Sequence, residues 1–209
     1  MRRLIHRFLL PALVVGVAVI SATALAQEMV EEKSSGAKFP KTVSFPGDYK
    51  TFELNITGTS LRSKYWHKVY GMAHYMEGNA TYATKREALA AALSDQYAKQ
   101  ITLAFVRDVG ADKIQEAFRD GFKKNSSKSE MEEISALVDK FVGFFDKEIK
   151  SGQRMVFRSV PGGKVTTIIQ GEEQEPIESL TFSRVLWRIW LDKHSIVDRD
   201  RLVQLVVKD

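Results

Sequence analysis

Six consecutive residues, Ile101-Thr102-Leu103-Ala104-Phe105-Val106, are all apolar or β-branched and show no polar alternation that would mark a wet face. Such a run predicts a strand buried on both faces, in the middle of a sheet. The rest of the chain must therefore supply strands for both of its edges and a layer for each face. Strand candidates precede it. Thr42 to Phe45 and Phe52 to Ile56 flank the turn Pro46-Gly47-Asp48 and predict a hairpin, with Gly58-Thr59-Ser60 breaking the second run. Tyr65 to Met76 is proline-free and rich in aromatic and β-branched residues. Alternation puts Tyr65, His67, Val69, Gly71, Ala73 and Tyr75 on one face and Trp66, Lys68, Tyr70, Met72, His74 and Met76 on the other. Aromatics on both faces imply cover on both sides. Later, Arg154 to Val160 and Lys164 to Ile169 flank Pro161-Gly162-Gly163 as a second hairpin.

Helical patterns fill the gaps between these strands. Thr84-Lys85-Arg86-Glu87 has the spacing of a capping box ahead of an alanine-rich helix to about Leu93. A second helix is predicted from Ala111 to Lys124, with Ile114, Ala117, Phe118, Gly121 and Phe122 on one stripe. Ser129-Glu130-Met131-Glu132 offers another capping box, opening a long helix to about Lys150. In it Met131, Ile134, Val138, Phe141, Phe145 and Ile149 recur at helical steps. Thr181 to Leu191 and roughly Asp198 to Val207 complete the set. Strands first, helices in the middle, a hairpin, then helices lacks the regular βαβ alternation of a parallel sheet. It predicts an α+β chain, an antiparallel sheet with helices packed on one face. The Phe stripe is assigned to the core, with the wall of a ligand cavity as its alternative use, and Trp66, Trp187 and Trp190 are assigned to the core.

The N-terminus has a different character. Basic MRRLIHR, the apolar run Phe8 to Ile20 and the small residues Ala24-Leu25-Ala26 form a signal-peptide pattern with cleavage after Ala26. The run contains Pro11 and is shorter than the roughly 20 residues a membrane span needs, so no stable span is expected after cleavage. These features predict a periplasmic or secreted protein. Removing residues 1–26 takes away Arg2, Arg3 and Arg7 and no acid, so the 31 basic residues fall to 28 against 26 acidic ones, a balance of +2. Nothing in that balance calls for nucleic acid. The chain has no cysteine, so disulfides and thiolate metal sites are excluded and apolar burial must hold the fold. Residues 27–41, polar and with Ser34-Ser35-Gly36 in the middle, read as a flexible leader, and residues 42–209 as one domain.

For chemistry, the stretch Leu54 to Met76 is the most informative, because it sets Arg62 between two strand-like segments. A guanidinium gives bidentate hydrogen bonds to a carboxylate or phenolate and keeps its charge at any relevant pH. Residue type alone equally describes a surface arginine paired with an acid such as Glu53. On a straight strand Arg62 and Tyr70 would be roughly 26 Å apart, so they converge only if the chain bends near Ser63-Lys64. His67 and His74 fall on opposite faces, which argues against a shared metal. Ser60 lacks the Gly-x-Ser-x-Gly setting of a nucleophile elbow. No catalytic set is assembled, and neither metal nor cofactor is called for.

Several segments together resemble the chalcone isomerase-like family in its compact bacterial exported branch. They are Leu61-Arg62-Ser63-Lys64 with Lys68-Val69-Tyr70 and Tyr75, then Phe105-Val106-Arg107-Asp108-Val109 running into Lys113. Lys150-Ser151-Gly152-Gln153, Pro161-Gly162, Gly171, Phe182 and Ile189-Trp190-Leu191 follow in the family's order, over about Thr42 to Leu205. The resemblance implies an open-faced sandwich with a ligand cleft between sheet and helices. In plant chalcone isomerases an arginine of the early strands positions a phenolate during ring closure, and in fatty-acid-binding relatives it holds a carboxylate. Arg62 matches that arginine, Tyr70 the tyrosine common in the fatty-acid binders, and Ser183 a late serine or threonine of the isomerase pocket. The isomerases' tyrosine after the central strand has no counterpart in Gly110 to Ile114, and Ser60 and Asp192 replace family glycines. The expectation is a non-catalytic exported binder of a small amphipathic anion such as a fatty acid, with Arg62 as counter-ion and Tyr70 as second donor. The alternatives are an isomerase or lyase acting on a phenolic or enone substrate, and an envelope chaperone or interaction module.

Overall fold

The computed structural model describes residues 27–208; the expected signal peptide, residues 1–26, lies outside them. β1 (Met29–Glu32) and β2 (Ala37–Pro40) pair antiparallel as a separate two-stranded sheet. β3 (Thr42–Pro46) and β4 (Thr51–Lys64) form the expected hairpin, in which the Gly47 N–H donates to the Lys50 carbonyl at 2.8 Å. β5 (His67–Glu77) follows, then α1 (Lys85–Leu93), β6 (Lys99–Phe105), α2 (Ala111–Asn125) and α3 (Lys128–Gly143). Next come β7 (Arg154–Ser159), β8 (Lys164–Ile169), β9 (Glu172–Glu173), β10 (Ile177–Glu178) and α4 (Leu180–Leu191). A 3-10 helix, Arg199–Val206, closes the described chain. The main sheet runs β10-β8-β7-β6-β5-β4-β3, with β9 on β8, and every ladder is antiparallel. β6 is central and buried along its whole length.

The fold is therefore α+β, a curled antiparallel sheet with helices on one face. On that face Tyr70, Met72, Leu103, Phe105 and Phe157 meet the helical side chains Phe118, Phe122, Phe141, Trp187 and Trp190. Phe118 stacks on Phe145 at 4.9 Å and meets Phe141 edge-on at 5.0 Å, offset arrangements that aromatic rings favour. The alternation read along Tyr65 to Met76 is visible here, since Ala73 and Tyr75 point the other way and pack with Leu54, Phe45 and Phe39.

That second packing corrects the expectation of a structureless leader at residues 27–41. The β1–β2 hairpin covers the sheet face opposite the helices, with Phe39 fully buried and Val30 packed against it. Ser34-Ser35-Gly36 is a tight turn rather than a linker. The buried Glu32 carboxylate accepts from the Ser35 N–H and Oγ, both at 2.7 Å, and Gly36 takes φ 73°. Burial alone would raise Glu32, but the Ser35 and Ser34 hydrogen bonds and the Arg201 charge outweigh it and hold the carboxyl below its usual range.

Other boundaries also shift. Gly58-Thr59-Ser60 does not break β4, which runs unbroken to Lys64; Gly58 instead marks a register shift against β5. α1 carries the expected Thr84 cap, but the box on α3 is built by Ser127 and Glu130, two residues earlier than expected. α3 stops at Gly143 rather than near Lys150. Ile149 exchanges backbone hydrogen bonds with Val109, at 2.8 and 3.0 Å, which a helical ladder would forbid. Phe145 and Ile149 stay buried from an irregular segment. Trp187 and Trp190 are core; Trp66 is not, being wholly exposed.

Candidate functional site

β4 turns into β5 through Tyr65 and Trp66, both in the left-handed region with φ 48° and 67°. This turn, slightly beyond the expected bend at Ser63-Lys64, brings Arg62 and Tyr70 together as direct partners across the ladder. Residues opposed in an antiparallel pair share a face with Cβ atoms about 5 Å apart. Arg62 and Tyr70 thus both look toward the helices, at the edge of the apolar layer.

Tyr70 is buried, its ring 5.4 Å from Phe105. Its hydroxyl accepts from the Trp190 indole N–H at 3.1 Å, and among the described residues its own proton has no acceptor. Burial pushes the phenol up to about 12, opposed by the Trp190 hydrogen bond and the Arg62 charge. It is accordingly a neutral donor, not a base, at physiological pH.

Arg62 donates from Nη1 to the Ile196 carbonyl at 2.9 Å. Among the described residues no carboxylate lies within ion-pair distance of it, Glu53 included. A peptide carbonyl supplies partial charge only, so the cation is hydrogen-bonded but not neutralised. Ile196 belongs to the strap that leaves α4 and leads into the 3-10 helix. Ser60 Oγ donates to the Asp198 carbonyl at 3.0 Å and Thr57 Oγ1 to the Leu202 carbonyl at 2.7 Å, so three β4 side chains tether the strap and the 3-10 helix that follows it. Ser60, the residue in place of a family glycine, therefore has a structural use. At Gly58 any Cβ would collide with the Arg201 and Leu202 backbone, so only glycine lets the 3-10 helix lie on β4.

Ser183 is not brought to this site. It is buried on α4 with its Oγ 2.7 Å from Ser159 Oγ, and Ser159 pairs with Lys99 at the far end of β6 from Phe105. Six residues of strand separate those ends, roughly 20 Å. Two surface cavities, of about 250 Å³ beside Phe144 and Gln170 and about 340 Å³ beside Phe45 and Arg158, do not reach Arg62 either. At Arg62 the Ile196 carbonyl, from the strap, takes the guanidinium's hydrogen bond.

A buried polar group that sequence reading missed lies on the helix-facing side of β6, at the end away from Arg62 and Tyr70. Lys99 is 1% exposed. Its ammonium donates to the Ala92 and Ser94 carbonyls at the end of α1, at 3.3 and 2.8 Å, and sits 5.3 Å from the Trp187 ring centroid. Burial lowers its pKa to about 8, with Asp95 opposing and Arg184 assisting. Nothing in Lys99-Gln100, ahead of the apolar run, signals such burial; the helix end that receives the charge is a tertiary partner. His67 is exposed and His74 buried, and among the described residues no group of three or more His, Cys, Asp or Glu side chains could hold a metal ion.

The family model described as chalcone isomerase-like matches residues 31–200. No curated protein matches the sequence. Among solved structures, the crystal structure of a fatty-acid binding protein of Arabidopsis thaliana superposes with a TM-score of 0.66 at 17% identity, covering 86% of this chain and 96% of that one. At that identity the likeness carries the fold, and the family match extends over most of the chain from β1 through α4. The chain belongs to the chalcone isomerase-like family.

Proposed function

We propose that this protein is an exported, non-catalytic binder of a fatty acid or a similar amphipathic anion, with Arg62 as counter-ion and Tyr70 as second donor. The observation that carries this reading is the Arg62–Tyr70 cross-strand pair, a cation with no carboxylate partner among the described residues beside a neutral phenol, at the edge of the aromatic and aliphatic cluster between sheet and helices. An apolar site with few convergent polar groups suits a ligand with one charged end. The Ile196 carbonyl occupies the place a ligand oxygen would take, so binding requires the strap to yield. Tyr70 held protonated supports binding over proton transfer, since a general base needs a pKa near the working pH. The fold shared with a plant fatty-acid binding protein is consistent with the same ligand class.

The test is displacement of a fluorescent fatty acid, with native mass spectrometry of the purified protein, for wild type, Arg62→Ala and Tyr70→Phe. Wild type should bind, and Arg62→Ala should lose about 1.5 kcal/mol or more of affinity, the scale of a hydrogen bond to a charged group. No binding by wild type, or equal binding by Arg62→Ala, would sink the proposal.

A further inference from the structure

We propose that the tip of the β4–β5 hairpin is a membrane-docking element that seats on an anionic phospholipid surface. Tyr65 and Trp66 are 81% and 100% exposed. Both occupy left-handed backbone positions, where asparagine and glycine are the cheap residues for a two-residue hairpin turn. Two large aromatics are thus held in solvent, in an unfavourable conformation, with no packing gain within the chain. Indole and phenol rings are the side chains that favour the boundary between acyl chains and headgroups.

The surrounding charge selects the lipid. Lys64, His67 and Lys68 flank the two rings, and the chain has no acidic residue between Glu53 and Glu77. The Lys64 ammonium lies 5.7 Å from the Tyr65 ring centroid. Lys68 donates to the Ser34 carbonyl, which places the β1–β2 turn, with the exposed Lys33, beside the tip. Two aromatics ringed by lysines match an anionic headgroup layer over an apolar interior. The inference is independent of the fatty-acid reading, because it uses protein stripped of lipid and no side chain of the Arg62 site.

The test is co-sedimentation of the delipidated protein with vesicles of phosphatidylcholine alone and with roughly a third phosphatidylglycerol. Expected is association with the anionic vesicles that is weakened roughly ten-fold or more in Tyr65→Ala/Trp66→Ala and in ~1 M salt, where charges are screened beyond about 3 Å. Because Trp187 and Trp190 are buried, quenching of tryptophan emission by brominated lipid reports Trp66. A second variant, Tyr65→Asn/Trp66→Gly, suits the turn geometry and should lose vesicle binding with an unchanged or raised melting temperature, which separates docking from folding. Equal sedimentation of wild type and both variants, equal binding to phosphatidylcholine, or a wild-type dimer abolished by the variants would each overturn the proposal, the last in favour of a second copy as the occupant.

Discussion

Under the 3-10 helix, the His74 ring meets Thr57 Oγ1 at 2.7 Å through Nδ1, while its Nε2 is buried with no partner among the described residues. Thr57 commits its proton to the Leu202 carbonyl, so the ring donates through Nδ1 and leaves Nε2 bare. A proton there would find no acceptor; burial and the charge of Lys99 hold the imidazole down to about 3. A histidine depressed in the folded state takes up its proton on unfolding. Its contribution is whole above the unfolded value of about 6.5 and is lost as pH falls from there toward the folded value. Between pH 7 and pH 5 the loss should be about 2 kcal/mol, and denaturant melts of wild type and His74→Gln should show that the variant lacks this increment. The same scale decides what Arg62 does for stability. Its removal deletes one hydrogen bond to the strap, about 1 kcal/mol, and a cation without a carboxylate partner, so ligand-free melts of Arg62→Ala should move by only a few degrees. Arg62 and Tyr70 were legible because they stand in a recognisable pattern of residues. Ile196 and Trp190, which contact Arg62 and Tyr70, were not, because each acts through a contact far away in sequence.

At the scale of elements, strand and hairpin signals read well, since alternation and Pro-Gly turns are local facts. Reading failed where one element leans on another. The Phe stripe continues to Phe145 and Ile149, yet the helix ends at Gly143 because the Val109 backbone claims Ile149. Gly58 resembled a strand breaker when its role is to admit the 3-10 helix. Gly58→Ala should therefore push that helix off β4, costing about 3 kcal/mol as overpacking does, without dissolving β4 itself. If the strap covers Arg62 against ligand, the same variant should bind fatty acid at least as tightly as wild type, because less work remains in displacing Ile196. Calorimetric melts and displacement titrations on the one variant measure both effects.

Across the whole molecule, the sheet is covered on both faces, by helices on one and by the β1–β2 hairpin on the other, and polar composition hid the second layer. Phe39 is the one large apolar side chain of that hairpin that is fully buried. Phe39→Ala should cost about 3 to 5 kcal/mol and expose apolar surface to a hydrophobic dye, whereas a loose leader would tolerate the change. The strap has a counterpart in time. Trp190, which holds Tyr70, and Ile196, which holds Arg62, are joined by the Ser195 hydroxyl donating to the Trp190 carbonyl at 2.6 Å and by the Ile196 N–H donating to the Ile189 carbonyl at 3.2 Å. Freeing Arg62 is thus coupled through the strap to the end of α4, while the Tyr70 proton can donate without that movement. In stopped flow the observed association rate should climb with fatty-acid concentration and then level off at the opening rate of the strap, a ceiling set by the protein and shared by ligands of any chain length.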